Sequence, residues 1–189
     1  MNNNHNKEPF ERTKIVVSDP TENDRPQIRA LFYHSWMATY PNKEIGITEE
    51  DIKEHFSIQA KKTAPTMTEL EDEKPLRLVK IVRINGLIIG IIRLSRYTNY
   101  NQLQSLYVLP EYFGKGIGTA LWEQSKNFLD FTKDTIVHVA TYNAQAIGFY
   151  KKLGFVETGK LFTEERHRMP ISGVCIPETE LVMPANTTA

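Results

Sequence analysis

The chain has 189 residues, 40% hydrophobic and 24% charged, with 23 lysines and arginines balanced by 23 aspartates and glutamates. That length buries a sizeable single core, and zero net charge excludes the basic excess of a nucleic-acid binder or a polybasic membrane anchor. One cysteine, Cys175, excludes an internal disulfide and a multi-cysteine zinc site, fits a reducing compartment, and reads as a lone thiol rather than a nucleophile.

Met1 to Glu11 is Asn-rich and charged, with no apolar stretch of signal-peptide type. The longest apolar run, Leu87 to Ile92, is far too short to span a bilayer. The expectation is a cytoplasmic protein with no membrane partner: a flexible tail over 1–11, one domain over 12–184, and a flexible tail over 185–189.

Thr13 to Ser18 is β-branched and reads as a strand. Asp19-Pro20-Thr21 stops it and supplies a helix cap. Ile28, Leu31, Phe32, Ser35, Trp36 and Thr39 then recur at helical spacing, with Pro26 in the first turns and Pro41 as the stop. Thr48 caps a second helix, and Asp51, three places on, can bond back to it. Ile52, His55 and Phe56 give that helix one apolar face. Lys61 to Pro75 lacks periodicity and reads as a loop, with a helical turn at Met67 to Glu71. Leu76 to Ile84 and Leu87 to Ser95 flank Asn85-Gly86, the dipeptide that best satisfies a two-residue hairpin turn, where both positions need positive φ.

Further strands are expected at Leu103–Leu109, Thr135–Thr141, Phe155–Leu161 and Glu180–Met183. Helices are expected from Gly116 or Gly118 to Phe131 and from Ala144 to Leu153, the latter ended by Gly154. Phe162 to Pro177 reads as a long connection. Strands and helices alternate without a linker, so the fold class is α/β, one domain, with antiparallel and parallel parts in one sheet.

Between strand and helix lies the most informative stretch, Leu106-Tyr-Val-Leu-Pro-Glu-Tyr-Phe-Gly-Lys-Gly-Ile-Gly-Thr-Ala-Leu121. Gly114, Gly116 and Gly118 free the backbone to turn its N–H groups outward at a helix N-terminus, a concavity suited to phosphate or pyrophosphate. A dinucleotide fingerprint needs G-x-G-x-x-G, but the third glycine comes one residue early. A P-loop needs Lys followed by Ser or Thr, but Lys115 is followed by Gly116.

This segment resembles the acetyl-CoA loop of the GNAT superfamily of N-acetyltransferases, [QR]-x-x-G-x-[GA]. Gly116 and Gly118 match it, and Phe113 stands where Gln or Arg is usual. The later run Asn143-Ala-Gln-Ala-Ile-Gly-Phe-Tyr-Lys-Lys-Leu-Gly-Phe155 is similar to the family's second segment. The resemblance extends over roughly 12–184. It implies a mostly antiparallel mixed sheet with a central splayed parallel strand pair, flanked by helices. It also implies direct transfer of acetyl from acetyl-CoA, as cosubstrate and without a metal, to a primary amine of a small molecule or peptide.

On this resemblance Leu106, Tyr107 and Val108 bond the pantetheine arm through their backbone. Phe113, Gly114, Lys115, Gly116, Ile117, Gly118 and Thr119 hold the pyrophosphate. Asn143 contacts the arm or caps a helix, or does both. Tyr150 either donates a proton to the departing thiolate, as a phenol of pKa near 10 can, or packs under the helix. The family's glutamate base is replaced by Gln102. Glu111, His138, His34 and a water relay are the candidates in its place, and none is singled out. Glu44, Glu49, Glu50, Asp51 and Glu54 form either a negative rim for a cationic amine or an acidic, solvated helix start. Trp36 and Tyr40 line the cleft or pack on the sheet. A homodimer is common among such proteins. Two other readings remain: a catalytically weak CoA-binding regulatory protein, since Phe113 and Gln102 depart from the pattern, and a nucleotide-binding module.

Overall fold

A computed structural model describes residues 15–61 and 75–186. Thr13, where the first strand is expected to begin, and the turn expected at Met67 to Glu71 lie outside the described residues.

The elements follow the order β1 (Val17–Ser18), α1 (Arg25–Thr39), α2 (Glu49–Lys61), β2 (Leu76–Ile84), β3 (Leu87–Arg96), β4 (Asn101–Val108), α3 (Ile117–Ser125), β5 (Thr135–Ala140), α4 (Ala144–Lys152), β6 (Val156–Arg168) and β7 (Cys175–Met183). Local chemistry sets the boundaries. The Thr21 N–H donates to Asp24 Oδ2 at 2.7 Å, Pro26 sits in the first turn of α1, and Pro41 follows its end. Asn85 (φ 49°) and Gly86 (φ 81°) make the left-handed turn between β2 and β3. Asn143 Oδ1 accepts from the Ala146 N–H at 3.0 Å to cap α4, and Gly154 (φ 101°) follows its end. No helix among the described residues is long and apolar enough to cross a membrane.

Seven strands form one sheet in the order β1-β2-β3-β4-β5-β7-β6. All neighbours are antiparallel except β4 and β5. That parallel pair holds register only over Asn101–Leu103 and Thr135–Val137. Arg93 faces Ser105 and Leu94 faces Leu103, so Gln104 is an extra residue that bends β4. Beyond it β4 stays with β3 and β5 stays with β7, so a wedge opens between them.

The larger core cluster joins Leu31 of α1, Ile81, Ile89 and Ile92 of the β2–β3 hairpin, Leu121 and Trp122 of α3, and Phe155 and Leu181. Helix α3 lies close on the sheet because Gly90 has no side chain: a Cβ there would come within 2.9 Å of Ile117 Cγ2. A second cluster gathers Trp36, Ile47, Ile52, Ala140, Met169 and Ile176.

That second cluster corrects the reading of 162–177 as a connection. β6 runs on to Arg168, and β7 begins at Cys175, so most of the segment is a hairpin. The tip of this hairpin docks on α2. Asp51, fully buried, accepts the N–H groups of Ile171 (3.2 Å) and Ser172 (2.8 Å) through Oδ1. Its Oδ2 accepts the Thr48 N–H at 2.9 Å, and its own N–H donates to Thr48 Oγ1. Burial alone would raise the Asp51 pKa, but these donors hold it below its ordinary value. At the other end, the Ala185 and Asn186 N–H groups bond Asp134 and the Phe131 carbonyl, so the chain stays attached through residue 186.

Asp51→Ala should therefore cost about 3 kcal/mol, the loss of a cap and of two charge-assisted bonds. Amide exchange at Ile171 and Ser172 should rise more than elsewhere. Unfolding in urea combined with hydrogen exchange checks both, and unchanged protection at those two amides contradicts the docking role.

Candidate active site at the strand wedge

The wedge opens into a cleft of about 1000 Å³. Every residue assigned to cofactor or catalysis from the sequence lines it, from Leu106–Val108 and Phe113–Thr119 to Asn143 and Tyr150. At its α3 end, Gly114 (φ 71°) and Gly116 (φ 81°) are left-handed, and a Cβ on either would meet nothing within 4 Å. Gly116 is the N-cap of α3, and no side chain caps the helix. The first bond along it runs from the Ala120 N–H to the Gly116 carbonyl at 2.9 Å. The N–H groups of residues 116 to 119 therefore have no helical acceptor and point past the helix end. This concavity fits a pyrophosphate. Gly118 serves differently from Gly116: its missing Cβ would sit 3.3 Å from Leu106 and from the Phe149 ring, so it permits packing rather than ligand approach. Phe113 is 43% exposed, and Lys115 Nζ lies 4.8 Å from the centre of the Tyr112 ring.

Along the wedge, β4 backbone groups beyond Gln104 face β5 without pairing to it. That free edge suits an extended chain carrying amides. Tyr150 lies across the cleft. Burial first, and then nearby Tyr107, raise its pKa well above the phenol value, so it stays protonated. Its hydroxyl has no hydrogen-bond partner among the described residues. Asn143 caps α4 through Oδ1 and lines the cleft as well, so both of its roles are geometrically compatible.

Tyr107 projects to the α1 side. Its ring packs edge-on against Phe32, and its hydroxyl lies 2.9 Å from that of Tyr40. Tyr142 Oη donates to the Tyr40 carbonyl at 3.0 Å. Tyr40 lines the cleft, whereas Trp36 packs in the second core cluster.

The candidates for a base separate clearly. Glu111 sits on the exposed 3-10 turn Pro110–Tyr112, and His34 stacks edge-on against Tyr33. His138 belongs to a chain of carboxylates and imidazoles that sequence reading missed. Glu178 Oε2 is 3.1 Å from His167 Nδ1, which is 4.0 Å from Glu164 Oε2. Glu164 Oε1 is 3.2 Å from His138 Nδ1, and His138 Nε2 is 3.6 Å from Glu180 Oε2. Glu178 is 7% exposed and acts electrostatically on Tyr40, Tyr107 and Tyr142. No alternation marked it in sequence, because the charges of Glu164, Glu165, Arg166, His167 and Arg168 disguised a strand. Three ligand atoms of Glu164, His167 and Glu178 lie within 4.8 Å of one another, a spacing a metal could use. Here the spacing is filled by their own bonds and by the Arg166–Glu164 ion pair.

The acidic group at α2 also divides. Glu49 and Glu50 are exposed and pair with Lys53, and Glu44 and Glu54 do not line the cleft. Asp51 is the buried clamp described above, not a rim charge.

The sequence model of the GNAT acetyltransferase domain matches residues 76–157, which carry the wedge, the glycine turn and α4. Over those residues the chain is similar to GNAT acetyltransferases. Peptidyl-lysine N-acetyltransferase YjaB of Escherichia coli K12 is 32% identical over 105 residues, 52% of this chain and 65% of that protein. YjaB of Salmonella typhimurium is 38% identical over 58 residues, 31% of this chain and 38% of that protein. The aligned chain thus spans less than two thirds of the length of either curated relative. The same fold recurs in the PaiA N-acetyltransferase of Thermoplasma acidophilum, solved in complex with coenzyme A. Its TM-score is 0.57 and its identity 20%, with 90% of this chain and 99% of that chain covered.

The Glu164 carboxyl is held at about 2, first by the His138 hydrogen bond, against opposing burial, and with help from Arg166. Its folded pKa is below its ordinary 4.5, so it stabilises the fold above pH 4.5 and that contribution is lost as pH falls toward 2. Melting temperatures measured from pH 7 to pH 2 should fall less steeply for Glu164→Gln, which should start from a lower value at pH 7. Parallel curves contradict this role.

Proposed function

We propose that the chain transfers the acetyl group of acetyl-CoA directly to a primary amine of a small molecule or peptide. The observation that carries the reading is the uncapped N-terminus of α3, with left-handed Gly114 and Gly116, at the mouth of the β4–β5 wedge. The relatives support it: one is named a peptidyl-lysine N-acetyltransferase, and another was solved with coenzyme A.

Acetyl-CoA supplies a thioester whose carbonyl an amine attacks. The N–H groups from Gly116 to Thr119 hold its pyrophosphate, and the free edge of β4 beyond Gln104 bonds its amide arm. Asn143 adds a side-chain amide beside that arm. Tyr150, protonated and unpartnered, donates its phenolic proton to the departing thiolate. Glu178, hydrogen-bonded to His167, receives the proton lost by the amine. Because no side chain is acylated, Cys175 has no part; it sits beside Glu165 on the β6–β7 hairpin.

Tyr150→Phe tests this account. The kcat for CoA release should fall about 100-fold, the scale of one lost proton donor, while CoA affinity is unchanged. Stopped assays with a thiol reagent measure the first and calorimetry the second. Full kcat in the variant contradicts the role given to Tyr150.

A further inference from the structure

Arg93 projects from β3 onto the α1 face of the sheet, opposite Ser105 of β4. Its guanidinium lies 5.5 Å from the centre of the Phe32 ring and has no hydrogen bond or ion pair to any described residue. Its Nε is fully buried and unpartnered. Burial, followed by Arg166 and Arg77, depresses its pKa, and only Tyr107 opposes them. A half-buried cation left without an anion costs stability, so folds rarely keep one without a use for it.

Hydroxyl groups around it are in the same condition. Ser105 Oγ and Ser35 Oγ are buried, lack hydrogen-bond partners, and belong to residues that line the cleft. Ser35 stands one helical turn after Phe32 on α1, on the same side of that helix. Two orphan hydroxyl groups on one wall of the cleft, with an orphan guanidinium on the strand position paired to one of them, are donors waiting for an acceptor.

We propose that Arg93, Ser105 and Ser35 form a carboxylate-binding subsite, so that the amine taken by this cleft is one that also bears a carboxylate. A planar guanidinium matches a carboxylate by two parallel N–H bonds. One uncompensated positive charge balances a monoanion; Arg166 is already paired with Glu164. Tyr107 acts as the divide, since it interacts electrostatically with both Arg93 and Glu178. A ligand lying over Tyr107 meets a cation on one side and the carboxylate–imidazole chain on the other. That polarity suits a molecule with an ammonium at one end and a carboxylate at the other. The inference rests on the acetyltransferase reading only in treating that molecule as the acceptor.

The test is a thermal-shift comparison on the full chain saturated with CoA, so that the glycine turn is occupied and no acetyl transfer occurs. The probes are L-lysine, cadaverine (the same diamine without the carboxylate) and inorganic phosphate. L-lysine at tenfold excess over its Kd should raise the wild-type melting temperature by about 3 °C, and cadaverine should raise it less. Arg93→Met should abolish the lysine response and keep the CoA response, and Arg93→Lys should keep part of the lysine response. Equal shifts with cadaverine, an undiminished lysine shift in Arg93→Met, or no lysine shift in wild type overturns the inference. A shift with phosphate and none with L-lysine overturns the carboxylate assignment. If CoA itself shifts neither protein, the acetyltransferase reading fails; if CoA shifts both and lysine neither, only the subsite fails.

Discussion

β4 and β5 share three register pairs and then part, because the extra residue Gln104 turns β4 away along β3. A parallel pair inside a sheet normally spends all its backbone groups on its neighbour. Here the groups beyond the bulge are left facing a gap, and a buried backbone that lacks partners requires something to bond. The cleft, the exposed edge of β4 and the placement of Tyr107 and Tyr150 on its two sides all follow from that one departure.

The two ends of the wedge are finished by different physics. At the α3 end the donors are backbone, oriented by left-handed glycines and supported by the helix dipole. Those donors do not depend on the side chain of Phe113, which stands where a polar residue is usual in the resemblance. At the α1 end the groups are side chains: a tyrosine pair, an unpartnered arginine, and a carboxylate–imidazole chain. Those side chains come from α1, β3, β4, β5, β6 and β7, and Asp51 pins the tip of the β6–β7 hairpin against α2. The glycine-turn end is thus built locally, while the α1 end depends on tertiary contacts distant in sequence.

That difference explains what could be read in advance. The Asn85-Gly86 turn, the Thr48–Asp51 cap, the glycine turn and the Asn143 cap are short-range features, and each left its pattern in consecutive residues. The β6–β7 hairpin left none. Glu164-Glu165-Arg166-His167-Arg168 carries charge where a strand would show apolar alternation, because its ion pairs rather than apolar burial settle its side chains. Asp51 reads in sequence as one acid among several, and only its burial under the hairpin tip separates it from exposed Glu49 and Glu50. Arg93 is equally silent: in LIIGIIRLS it looks like a solvated position on a strand, and its lack of a partner is a property of the assembled sheet.

The central claim is that the α3 N-terminus at the strand wedge holds the diphosphate of CoA. Calorimetric titration of CoA into wild type and Gly116→Glu tests it most directly, with melting temperatures to confirm that the variant is folded. The account predicts saturable binding to wild type and loss of that binding in a folded Gly116→Glu, whose carboxylate would fill and repel at the concavity. Undiminished binding by the variant, or none by wild type, would contradict it.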